Sequence, residues 1–155
     1  MTFRILPLPR EDFAALFTLD DEALAARGVR RMPVTSDFGF PCRVGLRDLG
    51  PGETALLLNH EHQPAATPFR SSHAIFVGEQ SAETRPEAGE VPEVLARRTL
   101  SIRAFDAEGM MLDADLCEGV DAAPLIERLL ANPDAAELHI HFARRGCFGA
   151  RAVRA

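Results

Sequence analysis

Residues 137–143 read Glu-Leu-His-Ile-His-Phe-Ala, and apolar and polar side chains alternate along this stretch. A period of two predicts a β-strand with one apolar face and one polar face. The polar face would carry His139 and His141 side by side. Residues 144–148, Arg-Arg-Gly-Cys-Phe, then predict a glycine turn that leads Cys147 into a second short strand. Imidazole and thiol groups suit metal binding and nucleophilic chemistry, so this stretch is also the first candidate for a functional site.

The same patterns along the rest of the chain predict an α+β fold. Strand patterns occur at residues 3–8, 53–60, 74–77, 99–106, 110–117 and 147–153, with a brief one at 32–34. Helix patterns occur at residues 9–17, 21–27 and 121–131, with a further turn or two at 91–97. Because hairpin connections dominate the later half of the chain, we predict a mainly antiparallel sheet of about six or seven strands with about three helices packed on it. The strand at 53–60 is apolar on both faces, which predicts a central position in the sheet.

Length and composition indicate one globular domain. A chain of 155 residues with a hydrophobic content of 46% is long enough to bury a core, and we predict a single domain over residues 1–155. Residues 78–90 are acidic and nearly free of large apolar side chains, which predicts a mobile surface loop. The chain shows neither a membrane-length apolar run nor a signal-peptide pattern. Three cysteines fit a reducing compartment better than a disulfide framework, so we expect a cytoplasmic protein.

The residue types that are missing argue against several functions. All 17 basic residues are Arg, and the sequence contains no Lys, Tyr or Trp. Without Lys there is no Schiff-base chemistry and no phosphate-loop lysine. The glycine-rich dinucleotide motif and the nucleophile motif of serine hydrolases are absent as well. The net charge of -6 argues against a nucleic-acid partner, because phosphate binding needs a basic field.

Histidine pairing is the first hypothesis for a site. Four of the five histidines form two His-x-His pairs, His60/His62 and His139/His141. Alternate residues of a strand project from one face, so two pairs on neighbouring strands could complete a tetrahedral zinc site. Such short motifs also recur by chance, and histidines without a metal are the commoner case. We therefore predict no metal site and no convergence of the pairs, and keep zinc bound by these four histidines as the alternative.

Thiol chemistry is the second hypothesis. Cys42 lies beside Arg43, and Cys147 follows two arginines; a neighbouring guanidinium favours the thiolate. With His139 as a general base, Cys42 and Cys147 are the candidate catalytic nucleophiles. We expect both thiols to be reduced and to be spatial neighbours, with Arg43 or His139 close by. The alternative is that free cysteines pack as small apolar side chains, which we expect for Cys117.

Anion recognition is the third hypothesis. Guanidinium and hydroxyl groups fall at predicted loops and strand ends, and these donors suit carboxylate or phosphate ligands. The candidate ligand-binding residues are Arg43, Arg70, Ser72, His73 and Arg144, with Arg103 among the other arginines of this set. The alternative is that the arginines pair with the many Asp and Glu side chains at the surface.

Further short segments complete a pattern over nearly the whole chain: Phe40-Pro41-Cys42-Arg43 with Leu46, Gly52-Glu53, Pro68-Phe69, Ile75-Phe76-Val77, His139, Ala143, Gly146-Cys147-Phe148, Arg151 and Arg154. With these residues the chain resembles a bacterial family of small single-domain proteins catalogued as domain of unknown function 1203. The resemblance implies no activity, because the family is functionally unassigned. It also implies that some relatives carry an additional Cys three residues after each of the two cysteines, where this chain has Gly45 and Ala150. Any metal or disulfide site that uses those extra thiols would be incomplete here.

Two classes of function stay open. One is a small-molecule-binding protein or enzyme, with an anionic ligand and a Cys/His/Arg site. The other is a non-catalytic interaction module with structural cysteines and histidines. The first class predicts that residues 41–43, 70–73 and 139–147 line one concave surface, whereas the second would scatter them. We expect neither nucleic acid nor membrane as a partner, and the sequence leaves homo-oligomerisation open.

Overall fold

The computed structural model describes residues 2–155, which form two five-stranded β-sheets with short helices. The strands are β1 (Phe3–Leu6), β2 (Arg30–Pro33), β3 (Pro41–Cys42), β4 (Arg47–Asp48), β5 (Thr54–Gln63), β6 (Ser71–Gly78), β7 (Thr99–Phe105), β8 (Met111–Glu118), β9 (Glu137–Phe142) and β10 (Phe148–Arg154). The α-helices are α1 (Ala14–Phe17), α2 (Asp21–Ala25), α3 (Glu93–Ala96) and α4 (Ala122–Leu130), with 3-10 turns at Arg10–Asp12 and Gly119–Asp121. None of the helices within residues 2–155 has the length and apolar character needed to cross a membrane.

The α+β prediction is confirmed, but the single sheet of six or seven strands is wrong. Sheet A has the order β1-β10-β9-β7-β8, and sheet B has the order β2-β5-β6-β3-β4. All pairs are antiparallel except β3 with β6. The strand count was too low because β3 and β4 have two residues each, which is too short to show alternation. Alternation also indicates that a strand exists but not which partner it pairs with, so it could not reveal the division into two sheets.

Sheet A buries its apolar face against α4. The apolar stripe of this helix packs into a core with the apolar residues of β7 and β9: Leu125, Ile126, Leu129, Leu130, Leu100, Ile102, Leu138 and Ile140. Side chains of a strand alternate between its two faces, so packing this face of β9 on α4 turns His139 and His141 the other way. β1 closes one edge of the sheet by pairing with β10, in the register Phe3 to Arg154.

Sheet B has β5 between β2 and β6, so the predicted central position of this strand is confirmed. β5 runs on to Gln63, beyond the predicted end at residue 60, because β6 begins at Ser71 and pairs with it there. His60 stands directly opposite His73 in this register. Directly opposed residues share a face, so the pairing brings His73 beside the His60/His62 pair. The core on this sheet also contains Phe148 from β10, which is where the two sheets meet.

Residues 79–92 contain no helix or strand, as predicted for an acidic loop. Backbone and side-chain hydrogen bonds nevertheless attach the loop to the rest of the fold. The Arg10 guanidinium donates to the carbonyl oxygens of Glu79 and Ser81, and the Thr84 amide donates to the carbonyl of Val44. The mobility of this loop stays a prediction.

Candidate functional site

Four histidines form a cluster where sheet A faces sheet B. This histidine cluster consists of His62 from β5, His73 from β6, and His139 and His141 from β9. The ring of Phe148 forms part of its wall: it stacks on the His62 ring with centroids 5.4 Å apart and an interplanar angle of 6°. The same ring contacts His139 and His141 edge to face at 5.6 Å and 5.9 Å. The fifth histidine, His60, lies beside the cluster rather than in it.

The two sequence pairs converge through His62. Its Nδ1 lies 3.4 Å from Nδ1 of His139, and its ring centroid lies 4.7 Å from that of His141. The expectation of no convergence therefore fails for His62 alone, because His60 stays outside the group. His62 and the second pair meet across the space between the two sheets, whereas the prediction considered only neighbouring strands of one sheet. His60 packs against the rings of Phe13 and Phe148 instead, so the four histidines named as alternative zinc ligands do not form one group.

His73 replaces His60 in the group that converges. One ring nitrogen from each of His62, His73 and His141 lies within 4.8 Å of the others. The sequence singled out His73 only as a possible anion ligand, because a lone histidine ahead of a strand carries no pairing pattern. Its position opposite His60 depends on the β5–β6 register, which appears only in the folded structure.

Hydrogen bonds at the edge of the cluster determine which ring nitrogens carry protons. His139 Nε2 lies 2.8 Å from Oε1 of Glu137, and the other carboxylate oxygen of Glu137 pairs with Arg151 Nε at 3.2 Å. A carboxylate only accepts, so His139 Nε2 donates, and in the neutral ring Nδ1 is a bare acceptor. With His139 in this tautomer, its contact with His62 Nδ1 is a hydrogen bond when His62 Nδ1 carries the proton. The Nε2 atom of His62 is left with a free lone pair.

His141 also has a bare Nε2 atom, because of a different hydrogen bond. Its Nδ1 donates to the carbonyl oxygen of Gly146 at 2.9 Å, so its Nε2 also carries a free lone pair. Both Nε2 atoms, of His62 and of His141, are buried and have no hydrogen-bond partner. Burial, together with nearby imidazole and guanidinium groups, lowers the pKa of His62 to about 4 and that of His141 to about 3, although the hydrogen bond to Gly146 opposes the decrease at His141. Both rings are therefore neutral at neutral pH.

Two arginines border the cluster. β7 places Arg103 opposite His139 and Ser101 opposite His141, so both side chains lie on the histidine face of sheet A. Arg103 Nε donates to Ser101 Oγ at 3.3 Å, and no ion pair within residues 2–155 involves Arg103. Burial lowers the pKa of this guanidinium. On the other side, an open groove of about 460 Å³ reaches the cluster and is lined by His62, Gln63, Asp106, Glu137 and Arg151, among others.

Arg43 and Cys147 are in direct contact although 104 positions separate them. Arg43 is 1% exposed and spans the space between the sheets. Its Nη2 donates to Cys147 Sγ at 3.1 Å, its Nε to the carbonyl oxygen of Phe148 at 2.8 Å, and its Nη1 to that of Pro41 at 2.5 Å. Burial lowers the pKa of Arg43 to about 10, so the side chain remains charged at neutral pH.

Cys42 is held differently from Cys147. Its sulfur accepts hydrogen bonds from the amides of Gly45 at 3.3 Å and Gly78 at 3.2 Å, and the residue lies in the core of sheet B. All three cysteines are free thiols. Arg43 thus connects the two candidate nucleophiles, being next to Cys42 in the chain and bonded to Cys147. His139 belongs to the histidine cluster, and a catalytic role for any of the three stays a prediction.

The other predicted ligand-binding residues lie outside the cluster. Arg70 is exposed and pairs with Glu61 at 2.9 Å, and Ser72 is exposed on the face of β6 opposite to His73. Arg144 is exposed in the turn between β9 and β10. Of residues 70–73, only His73 therefore lies in the histidine cluster. Glu137 was not among the predicted site residues, although extending the period of two by one step from His139 places it on the same face.

Comparison with known proteins gives one match. No curated protein and no solved structure matches the chain significantly. A family model described as "Protein of unknown function (DUF1203)" matches residues 39–154, a range that contains the whole histidine cluster together with Arg43 and Cys147. This agrees with the resemblance carried by the short segments of the sequence. The chain belongs to the DUF1203 family of proteins of unknown function.

Proposed function

We propose that this protein binds a small anionic molecule at the histidine cluster, as a binding protein or as an enzyme. The observation that carries the proposal is the Arg103 guanidinium, which is partly buried, lies on the histidine face of sheet A and makes no ion pair with any carboxylate of residues 2–155. Seven other arginines form ion pairs with carboxylates, as Arg151 does with Glu137. Arg103 is therefore a cationic donor that a ligand can use.

The energetics of burial favour an anion at Arg103. Removing a charge from water costs free energy unless a partner of opposite charge or several hydrogen bonds replace the water. Arg103 makes one side-chain hydrogen bond, to Ser101, and most of its donors remain available. Carboxylate and phosphate groups match the forked geometry of a guanidinium and give hydrogen bonds about twice as strong as neutral ones.

The surroundings suit a small ligand. His62 and His141 are neutral at neutral pH, and their free Nε2 lone pairs can accept hydrogen bonds from a ligand hydroxyl. The open groove beside Glu137 and Arg151 gives access to His62, whereas Arg103 lies outside its lining. A ligand with one anionic group and a neighbouring hydroxyl would use both kinds of partner.

Binding of inorganic phosphate and succinate to the metal-free protein tests this proposal. We expect one of them to raise the unfolding temperature, by an amount equivalent to about 2.7 kcal/mol when the ligand reaches a hundred times its Kd. Arg103→Gln should weaken binding at least about tenfold, the effect of losing about 1.4 kcal/mol of charge-assisted hydrogen bonding. Arg70→Gln is the matched control, because Arg70 is exposed and lies outside the cluster, and it should bind like the wild type.

Two results would contradict the proposal. One is that neither anion stabilises the protein, which would favour the interaction-module alternative. The other is that Arg103→Gln, shown by circular dichroism to be folded, binds as tightly as Arg70→Gln.

A further inference from the structure

We propose that His62, His73 and His141 bind a divalent transition-metal ion, and that zinc is the ion their geometry and chemistry fit best. The metal site shares His62 and His141 with the anion-binding proposal, but its test uses metal ions alone and needs no anion. Its three ligands come from β5, β6 and β9, so the ion would join sheet A to sheet B.

The first support is convergence. One nitrogen from each ring lies within 4.8 Å of the other two. Zinc–nitrogen bonds of about 2.0–2.1 Å in a tetrahedral site place ligand nitrogens about 3.3 Å apart. The rings therefore need to close by at most about 1.5 Å, which small changes of side-chain torsion supply. His73 is half-exposed and has the most freedom to move.

The second support is the state of the ring nitrogens. A metal ligand must present a lone pair, and the hydrogen bond of the other nitrogen decides which tautomer does so. The hydrogen bond of His141 to the Gly146 carbonyl leaves Nε2 of His141 bare. The hydrogen bonds that run from Glu137 through His139 to His62 leave Nε2 of His62 bare. Both atoms are buried without a partner, at residues that are 6% and 0% exposed. An unsatisfied buried polar atom costs about 1–3 kcal/mol, and a metal ion would satisfy both.

The third support is the type of ligand. Three neutral imidazoles suit zinc and its transition-metal neighbours, whereas magnesium and calcium require oxygen ligands. Three protein ligands leave one tetrahedral position open, which is the arrangement of catalytic zinc sites.

Metal titration of untagged protein, stripped with a chelator and dialysed, tests this inference. We expect one Zn²⁺ per chain in competition with a chromophoric chelator, and we expect Co²⁺ to give the intense visible absorption of a low-coordinate nitrogen site. Magnesium and calcium should not compete. His73→Gln should weaken zinc binding at least about tenfold, since it removes one of three ligands.

His60→Gln is the matched control. His60 and His73 are directly opposite each other in the β5–β6 register and are both half-exposed, but only His73 belongs to the converging group. His60→Gln should keep its zinc affinity within about twofold. Equal losses in the two variants would overturn the assignment. If His73→Gln does not fold, the wild-type Co²⁺ spectrum decides, because a six-coordinate aqua-like spectrum would also overturn it.

Glu137→Ala tests the positioning role of the carboxylate. Without this acceptor His139 can donate through Nδ1, which would move the His62 proton to Nε2 and block the ligand atom. We expect zinc affinity to fall about 10–100-fold, as is typical for outer-shell partners of metal ligands. Nitrogen NMR of the imidazole rings should show the tautomer change at His62 in the metal-free variant. Unchanged affinity together with an unchanged tautomer would refute the proposed chain from Glu137 to His62.

Discussion

Arg43 holds the two sheets together, and truncating it should be among the costliest substitutions in the protein. Arg43→Ala removes the donors for the carbonyl oxygens of Pro41 and Phe148 and for the sulfur of Cys147. Each buried carbonyl left without a partner costs about 1–3 kcal/mol, and loss of the side-chain methylenes costs about 2 kcal/mol more. These losses together come to about 6 kcal/mol.

Part of this loss is offset, because the substitution also removes a buried charge. Burial lowers the pKa of Arg43 to about 10, a decrease that corresponds to about 3 kcal/mol of unfavourable burial, which the variant escapes. The net destabilisation expected for Arg43→Ala is therefore about 3 kcal/mol. Arg43→Met keeps the volume and also removes the charge, so it should cost only about 1 kcal/mol.

Urea unfolding at pH 7.5 measures both variants. With a typical slope of about 2 kcal/mol per molar urea, Arg43→Ala should lower the midpoint by about 1.5 M. Arg128→Ala is the control, because Arg128 forms only exposed ion pairs with Asp113 and Asp115 and should cost at most about 1 kcal/mol. The reasoning fails if Arg43→Ala costs no more than the control, or if Arg43→Met costs more than Arg43→Ala.

Three further predictions concern pH, packing and reactivity. In the metal-free unfolded chain, histidines take up protons below about pH 6.5. In the folded protein His62 and His141 stay neutral down to their pKa values of about 4 and about 3. The free energy of unfolding should therefore decrease as the pH is lowered from 6.5, by up to about 1.4 kcal/mol per pH unit for each histidine. A urea midpoint that is constant between pH 7 and pH 5 would contradict this. Gly119→Ala would place a Cβ 2.0 Å from the carbonyl oxygen of Leu95. Calorimetry should show that the free energy of unfolding decreases by about 1–3 kcal/mol. An unchanged melting temperature would argue against this close contact. Burial and nearby carboxylates raise the pKa of Cys117. Site-resolved mass spectrometry should therefore find that iodoacetamide alkylates Cys117 slowly at pH 8 and faster as the pH rises. An alkylation rate that does not change with pH would contradict the raised pKa.

The sequence predicts secondary structure well where burial differs sharply between two faces. β9 is the best case, because its apolar face packs on α4 and its polar face carries His139 and His141. The apolar stripe of α4 is predictable for the same reason. β3 and β4 are not, because two residues are too few for any period.

The histidine cluster depends on facts that no local pattern contains. The cluster forms through two strand registers and the packing of two sheets. Of the two His-x-His pairs visible in the sequence, only His139/His141 enters it whole. His73 enters through its register with His60, and Arg103 through its register with His139. Glu137 was within reach of local reasoning, because it continues the alternation of β9 by one step.

The pairing of β1 with β10 has a consequence for the order in which the chain folds. Residues 30–78 contain every strand of sheet B, so this sheet can assemble while later residues are still being translated. β1 is made before all of them, yet its hydrogen-bonding partner emerges after every other strand. Until then Phe3 and Ile5, which end 1% and 0% exposed, lie on a strand that has no neighbour to pair with. β1 therefore waits unpaired while the other strands of the fold form, and the edge of sheet A closes last.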